Sequence, residues 1–501
     1  MRRWIWGGLF LALLLLTAGG LYVEKRSEKF TVNAGVEAVP AEKKTEGQVI
    51  TLTVPVIFES QIPEDFSKME EAANEITRAA IEVEMDLIPV LRLVVSDSQR
   101  ASEMALLKNQ GIQFDLVHES LEEERLLRLN DLLPEYGSGI LALFEENNLE
   151  FLDDEELYYL PSVSDYVAGQ GIAMRKDIVD QYGIDISQLN SYQDFDELFQ
   201  WLAPLEPELN MISSFFSQRT FFYRYYVDKI PNTVFAVYPS DPERVVNIYD
   251  TEEYRQNAEI FRDWYLNGYT YEFMGLQNIS AYQLVEAGTL FSYVCAYKPG
   301  IDYEASSNCK MPMVVAKIKD PVVTDSTLTM NCWGISADCP YPEKAMELLN
   351  LFYTNSDLMN LISYGIEGVH YQVQEDGTIN WPEGMDKDTV GYYNDAAWIV
   401  PNQFLTHIWE GEDADLWEQL DAYNRSAVQS QTLGFVFDDS KVKAENDAVN
   451  AIADKYDYGL GTGQLDPDIY VDRMLKEMKE AGLELVYQEV CSQYDDWMGE
   501  Q

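Results

Sequence analysis

The chain has 501 residues, of which 86 are acidic and 35 are basic, so its net charge is −51 at neutral pH. This charge excludes a nucleic-acid partner, because binding to phosphates requires a basic surface, and it disfavours adhesion to anionic lipid. Hydrophobic residues make up 47% of the chain, which is enough for ordinary globular cores. The length predicts two or three domains. The charge predicts a solvated, self-repelling surface.

Residues 1–23 form a predicted targeting segment. Two arginines precede an apolar run at 4–16, and small residues follow at 17–20. This order is typical of a secretory signal peptide, which takes no part in the fold. Because the apolar character continues to Val23, the segment is also long enough for an uncleaved signal-anchor that leaves the rest of the chain outside the cell. The polar, aperiodic residues 24–48 predict a linker.

The next segment alternates strand and helix patterns. β-branched or apolar runs at 49–58, 82–90 and 114–118 predict strands, whereas helical periodicity predicts helices at 66–81 and 98–108. The order strand–helix–strand–helix–strand predicts a parallel sheet with right-handed crossovers.

A second strand-to-helix pattern lies at 331–353. Ile335 belongs to a predicted strand end, and Pro342 stands where the first position of a helix tolerates proline. Glu343 lies in the first turn, where the helix dipole favours a negative charge. Ligands of open α/β sheets lie at such junctions. Trp333, at the strand end and outside the helical period, is therefore the first candidate for a ligand contact.

Several segments resemble, in co-linear order, those of extracellular solute-binding proteins, which are the substrate-capturing receptors of ABC importers. The resemblance covers residues 50–500. The segments that carry it include WGISADCPYPEKAMELLNLFYTNSDLMNLISYG (333–365), RKD (175–177), YGIEGVHY (364–371), NWPEG (380–384) and LGFVFD (433–438). The last of these is similar to the opening of a C-terminal domain of unknown function, DUF3502, that is found in this subgroup.

The resemblance implies an α/β protein with the two-lobed, type II periplasmic-binding-protein-like fold, in which a hinge closes an interlobe cleft around the ligand. The chain is expected to cross between the lobes near 161–170, 312–332 and 362–372. The boundaries implied are 49–165 with 318–365 for the first lobe, and 166–317 with 366–501 for the second lobe, of which 433–501 is a C-terminal helical subdomain.

Candidate ligand residues are of the two kinds that hold sugars, namely aromatic faces and planar polar groups that form paired hydrogen bonds. They are Trp333, Trp398, Asn402, Trp409, Asp115, His118, Tyr223, Tyr297 and Asp165. Trp333, Asp115 and His118 lie at predicted strand ends, and Asp165 lies just past an expected crossing. Trp409 is of interest together with its neighbour Glu410. For each candidate, a role in the core or in a turn is the open alternative.

No motif for catalysis, metal binding or phosphate binding is evident, so neither a metal nor a cofactor is expected. The three histidines lack zinc-ligand spacing to any cysteine, and GLGTG at 459–463 lacks the lysine of a phosphate loop. With 86 acidic residues, a glycosidase dyad cannot be distinguished from chance pairs. The five cysteines form no CxxC pair, and free, mostly buried thiols are expected rather than disulfides.

The sequence therefore predicts the monomeric, extracellular substrate-binding component of an ABC importer, which captures a small solute by hinge closure. The resemblance implies a carbohydrate as solute and ABC permease subunits as membrane partners. The expected location is the outer face of the cell membrane, with the chain held by a signal-anchor or released, because Leu21 stands where a lipoprotein has cysteine. An extracellular glycoside-acting enzyme and a membrane-tethered sensor receptor are the alternatives.

Overall fold

The computed structural model describes residues 49–59, 61–91, 107, 111–118, 126–146, 157–213, 227–271, 280–324, 327, 331–387 and 389–499. The targeting segment, the linker, nearly all of the predicted helix at 98–108 and the candidate Tyr223 lie outside the described residues. The chain folds into two compact α/β units, each built from two separate stretches of sequence. Unit 1 comprises Met1–Tyr166 and Thr329–Glu410, and unit 2 comprises Val167–Leu328 and Gly411–Gln501.

Unit 1 begins with a parallel strand–helix–strand motif. Strand β1 (Ile50–Phe58) pairs in parallel with β2 (Val83–Leu91), and helix α1 (Phe66–Ile81) connects them. These three elements match the predicted ones within about one residue. The rest of this stretch forms β3 (Leu116–His118), α2 (Leu133–Tyr136), α3 (Ser138–Glu146) and β4 (Tyr159–Pro161).

The first stretch of unit 2 contains most of its strands. Its elements are β5 (Gly169–Arg175), α4 (Lys176–Tyr182), α5 (Tyr192–Leu202), β6 (Asn210–Ser213), β7 (Asp228–Lys229), β8 (Phe235–Tyr238), β9 (Asp241–Asn247), α6 (Glu252–Leu266), β10 (Thr270–Tyr271), α7 (Ala281–Glu286), β11 (Leu290–Tyr297), α8 (Ile301–Cys309), β12 (Met313–Lys319) and β13 (Val322–Val323). A mixed sheet has the strand order β10-β6-β11-β5-β12. Strands β7, β8 and β9 form a separate antiparallel sheet.

The chain then returns to unit 1. The elements of this second stretch are β14 (Cys332–Ile335), α9 (Pro342–Thr354), α10 (Ser356–Tyr364), β15 (Gln372–Val373) and β16 (Ile379–Asn380). Helix α9 begins at Pro342 with Glu343 in its first turn, as predicted. Strand β14 lies between β3 and β4 and is antiparallel to both, with Trp333 opposite His118 and Leu160. The third predicted strand, β3, therefore has an antiparallel partner, and the expected all-parallel pairing is wrong at this position.

The second stretch of unit 2 is mainly helical. It forms α11 (Leu416–Ser426), β17 (Val428–Gln429), α12 (Lys443–Gly461), α13 (Pro467–Glu480) and α14 (Leu483–Met498). The GLGTG sequence ends α12, and Gly463 has a φ of +74°. A Cβ atom there would come within 2.1 Å of the Phe261 carbonyl oxygen, so this glycine permits the close approach of α12 to α6. The segment has a structural role and is not a phosphate loop.

The division into units differs from the predicted lobes for residues 318–328, which lie in unit 2, and for residues 366–410, which lie in unit 1, as does Tyr166. Long-range hydrogen bonds explain the second difference. The Tyr392 hydroxyl donates to the Ile362 carbonyl (2.7 Å), and Asn402 Nδ2 donates to the carbonyl of Tyr353 (2.8 Å). The third crossing consequently falls at 410/411 rather than at 362–372.

All five cysteines are free thiols, and three of them are buried, in agreement with the prediction. Burial raises the pKa of Cys295 and that of Cys339 to about 12, so both thiols stay protonated at neutral pH. Among the described helices, none combines the length and the apolar character that crossing a lipid bilayer requires.

Candidate functional site

Most candidate residues lie in unit 1, and several of them meet where the chain leaves this unit and returns to it. This crossing edge consists of residues 162–166, 331–333 and 397–403. The Val163 amide donates to the Pro401 carbonyl (2.8 Å), and the Ser162 amide donates to the Asn331 carbonyl (2.9 Å). The crossing edge thus joins three stretches that are far apart in the sequence, and it contains Asp165, Trp333, Trp398 and Asn402.

Trp333 has a place in the core of unit 1. Its side chain is only 4% exposed, and its Nε1 donates to the Ile399 carbonyl (3.1 Å). Its ring meets the ring of His118 edge to face, with 5.0 Å between centroids. The adjoining apolar cavity has a volume of about 20 Å³, which is room for about one water molecule. Burial and a satisfied indole N–H favour the core alternative for Trp333 over the ligand contact that we expected.

Asp115 and His118 are also buried and connect strands. The Asp115 carboxylate accepts a hydrogen bond from the Thr53 amide (2.8 Å), and the Asp115 carbonyl accepts one from the Ser336 amide (2.9 Å). Burial raises the pKa of Asp115, and the Thr53 N–H partly offsets this effect. His118 packs against Trp333. These contacts tie β3 to β1 and β14, which is a structural role.

The remaining candidates of the crossing edge differ in exposure. Asn402 is 2% exposed. Its Nδ2 donates to Tyr353, as described above, and its Oδ1 accepts from the Phe404 amide (3.1 Å), so that it caps a short 3₁₀ turn. Trp398 and Asp165 are half-buried, and they retain the surface that a ligand contact would need.

A second group of residues in unit 1 forms an aromatic cluster that we call the tryptophan platform: Tyr364, Tyr371, Trp381, Tyr393 and Trp409. Backbone pairing positions it. The Ile379 amide donates to the Ile408 carbonyl and the Glu410 amide donates to the Ile379 carbonyl, both at 2.9 Å. This pairing places Trp409 beside β16, and Trp381 follows directly after that strand. Trp381, Tyr393 and Trp409 are half-buried.

The rings of the tryptophan platform contact each other closely. Trp381 and Trp409 have centroids 4.2 Å apart with an interplanar angle of 38°. Tyr393 meets the Trp381 ring edge to face at 5.2 Å, and Tyr364 meets the Trp409 ring in the same way at 5.4 Å. These contacts fix the orientation of both indoles before any ligand arrives.

Polar groups adjoin the two indoles. Asn380, which precedes Trp381, donates through Nδ2 to the carboxylate of Glu410, which follows Trp409. The Trp381 amide donates to Asn380 Oδ1 (2.7 Å), and this bond fixes the orientation of the Asn380 side chain. The platform thus offers aromatic surface next to an amide and a carboxylate, the combination that suits a molecule with apolar faces and many hydroxyl groups.

The sequence predicted Trp409 and its neighbour Glu410 but missed the other members of the platform. Trp381 and Asn380 lie within the NWPEG segment, which is one of the segments that carry the family resemblance. An aromatic residue between asparagine and proline, outside any helix or strand period, was the signal that could have identified Trp381.

Tyr297 is the remaining described candidate and lies in unit 2, at the end of β11. It is half-buried, its ring is 6.5 Å from that of Tyr423, and its carbonyl accepts a hydrogen bond from the Tyr423 hydroxyl (3.0 Å). Within the described parts of both units, no group of three or more His, Cys, Asp or Glu side chains is placed to hold a metal ion.

Comparisons with known proteins show which proteins this chain resembles. Residues 431–499 match the family model described as "Domain of unknown function (DUF3502)". The carbohydrate ABC transporter substrate-binding protein of Streptococcus pneumoniae serotype 4 is 22% identical to this chain over 462 residues, covering 89% of this chain and 91% of that protein.

Solved structures agree with the sequence comparison. The N-glycan transport solute binding protein (NgtS) from Streptococcus pneumoniae matches with a TM-score of 0.77 at 19% identity. Its complex with Man1GlcNAc matches with a TM-score of 0.72 at 20% identity. Each comparison covers 90% of this chain and 99% of the other. The fold is that of ABC-transporter solute-binding proteins, as predicted. The predicted resemblance to the subgroup with the DUF3502 domain is likewise confirmed.

Proposed function

We propose that this chain is the extracellular substrate-binding component of a carbohydrate ABC importer. The observation that carries the proposal is the likeness, over nearly the whole of both chains, to a carbohydrate ABC transporter substrate-binding protein. That relative is named as a binding protein and not as an enzyme, which favours capture without turnover over the glycoside-acting alternative.

The tryptophan platform supports a sugar as the captured solute. A sugar ring has an apolar face of C–H groups that stacks on an indole, and its hydroxyl groups form hydrogen bonds with planar amide and carboxylate groups. Trp381 and Trp409 supply the aromatic surface, and Asn380 with Glu410 supplies the polar groups. Trp398 and Asp165 at the crossing edge are further proposed contacts.

The proposal includes partners and a location. The receptor acts as a monomer and delivers its solute to ABC permease subunits in the membrane. The apolar segment at 1–23 directs export and is then either cleaved or kept as an anchor. The mass of the protein extracted from cells distinguishes these outcomes, because cleavage near Gly20 shortens the chain and retention leaves it intact.

A titration tests the proposed function. Mannopentaose, cellopentaose and chitopentaose are titrated into the purified protein, and binding is followed by calorimetry and tryptophan fluorescence. The sugars are then recovered and their lengths measured by chromatography. We expect saturable binding of at least one sugar, with all sugars recovered intact. Shortened sugars would establish an enzyme, and absence of binding to every carbohydrate tested would contradict the proposal.

A further inference from the structure

The segment of sequence that contains the tryptophan platform is rich in acidic residues. The segment from Tyr364 to Glu410, which contains the whole platform, has eight acidic residues and one basic residue, Lys387. The Glu410 carboxylate lies next to Trp409 in the chain and accepts a hydrogen bond from Asn380. A negative group is therefore built into the polar side of the platform.

Apart from Lys387, the cations that the structure describes in unit 1 are engaged in ion pairs. Among its described residues, Lys68, Arg78, Arg128 and Lys344 each have a nitrogen atom within 2.8 Å of a carboxylate oxygen. A sugar that carries a carboxylate is held best by an arginine or lysine that can pair with it. The platform supplies a carboxylate where such a sugar would need a cation.

We infer that the Asn380–Glu410 pair makes the tryptophan platform selective for neutral or amino-bearing sugars and against acidic ones such as uronates. This inference rests on the proposed function and specifies its substrate class. The Glu410 carboxylate accepts hydrogen bonds from sugar hydroxyl or ammonium groups, whereas a sugar carboxylate a few ångströms away is repelled. The net charge of −51 adds a repulsion of longer range.

The experiment compares one sugar in two charge states. The tightest binder among mannopentaose, cellopentaose and chitopentaose is oxidised at its C6 hydroxyl groups to carboxylates, and both forms are titrated at 50 mM and 500 mM NaCl. The neutral form is expected to bind about tenfold more tightly at low salt. The ratio is expected to shrink at high salt, because the screening length falls from above 10 Å to a few ångströms.

Two variants test whether the Glu410 carboxylate causes the selectivity against acidic sugars. Glu410→Gln keeps the shape of the side chain and removes its charge, and it is expected to reduce the neutral-to-acidic affinity ratio about threefold or more. Glu208→Gln makes the same change at an exposed position of unit 2 that is not part of the platform and is expected to leave the ratio within about 1.5-fold, since salt screens exposed charges. The ratio is the readout because Glu410→Gln also alters the affinity for the neutral sugar.

The outcomes separate this inference from the function on which it rests. If the carboxylated form binds as tightly as the neutral form, or more tightly, the selectivity is overturned and the carbohydrate-binding function stands. If Glu208→Gln changes the ratio as much as Glu410→Gln does, the assignment to the Asn380–Glu410 pair is overturned. If neither form binds for any of the three sugars, the proposed function fails and the inference fails with it.

Discussion

At the scale of single residues, Trp409 and Trp333 illustrate two different uses of tryptophan in unit 1. Trp409 is half-buried and belongs to a cluster of rings beside polar groups, whereas Trp333 is buried with its indole N–H satisfied by the Ile399 carbonyl. An aromatic ring with accessible surface can stack on a ligand, and a ring that is covered on all sides stabilises the fold. Each side chain therefore has a distinct expected effect when it is removed.

Replacement of Trp409 by alanine is expected to weaken the binding of the tightest neutral pentasaccharide about tenfold or more, because one of the two indoles of the platform is lost. Calorimetric titration measures the affinity, and the melting temperature confirms that the variant is folded. Trp201 provides the matched control, since it is 49% exposed on α5 of unit 2. Trp201→Ala is expected to bind the sugar like the unaltered protein. A folded Trp409→Ala variant with full affinity would remove the platform from the binding site.

Replacement of Trp333 by alanine is expected to destabilise unit 1 by about 3–5 kcal/mol, the usual cost of removing a large buried aromatic side chain. The loss of the hydrogen bond to Ile399 contributes to this cost. Denaturant unfolding measures the change, and Trp333→Phe, which keeps much of the ring, is expected to lose less. Wild-type stability combined with weakened sugar binding would restore the ligand role that the sequence suggested.

At the scale of elements, Asn402 connects a 3₁₀ turn to helix α9. Its amide nitrogen donates to Tyr353 at the end of that helix, and its amide oxygen caps the turn at Phe404. Asn402→Ala is expected to cost about 1–3 kcal/mol of stability, because buried backbone groups lose their partners. Unfolding curves measure this loss. Affinity per folded molecule is expected to stay within about twofold.

A conservative variant separates the two bonds of Asn402. Asn402→Asp keeps an oxygen acceptor for the Phe404 amide but removes the donor to Tyr353 and places a carboxylate against that carbonyl. We therefore expect it to be destabilised as well. A stable Asn402→Ala variant that no longer binds sugar would show instead that Asn402 contacts the ligand.

The elements that local pattern specifies were predicted well. Strand β1 and helices α1 and α9 follow from β-branched runs, helical spacing and a proline at the first helical position. The pairing of β3 with β14 was missed because a strand of three residues has no local signal for its partner. That partner lies more than 200 residues away, and tertiary contacts alone determine it.

In the candidate site, too, the local sequence pattern does not specify long-range contacts. Trp409 was predicted as an aromatic residue beside a carboxylate, that of Glu410. Trp381 and Tyr393 were missed because a half-buried ring and a core ring look alike in sequence. The backbone pairing of Ile379 with residues 408 and 410 brings these rings together, and this pairing is again a long-range contact.

At the scale of the whole molecule, the fold class followed from the co-linear order of family-like segments, but the assignment of residues 366–410 did not. That stretch belongs to unit 1 through hydrogen bonds from Tyr392 to Ile362 and from Asn402 to Tyr353. The sequence does not indicate which carbonyl group will accept a hydrogen bond from a side-chain hydroxyl or amide. Total charge, in contrast, is fixed by the sequence, and it has a consequence for stability.

The dependence of stability on pH follows from the charge and from buried carboxyl groups. Burial raises the pKa of Asp115 and that of Asp228 above the ordinary value of 3.8. The folded state therefore holds these protons more tightly than the unfolded state, and ionisation penalises folding at neutral pH. As the pH falls through the raised pKa values toward 3.8, this penalty disappears. Protonation of surface carboxylates also relieves the repulsion that a net charge of −51 creates.

Carboxylates whose pKa is lowered in the folded state set the lower limit of the pH range in which stability increases. Lys68 lowers the pKa of Asp65 and Arg175 lowers that of Asp177, so their contribution to stability is lost only as the pH falls below 3.8 through the lowered values. The melting temperature is therefore expected to rise by about 2–5 °C between pH 7.5 and about pH 4 and to fall again below about pH 3.5.

Calorimetric scans at constant ionic strength measure this profile. A second series in 0.5 M NaCl separates its two causes, because salt screens the surface repulsion but leaves the penalty for buried carboxylates in place. At high salt we expect a higher melting temperature at pH 7.5 and a smaller, still positive, gain on lowering the pH to about 4. A melting temperature that falls steadily from pH 7.5 to about pH 4 would mean that ion pairs of the kind formed by Asp65 and Asp177 outweigh both the buried carboxylates and the excess of negative charge.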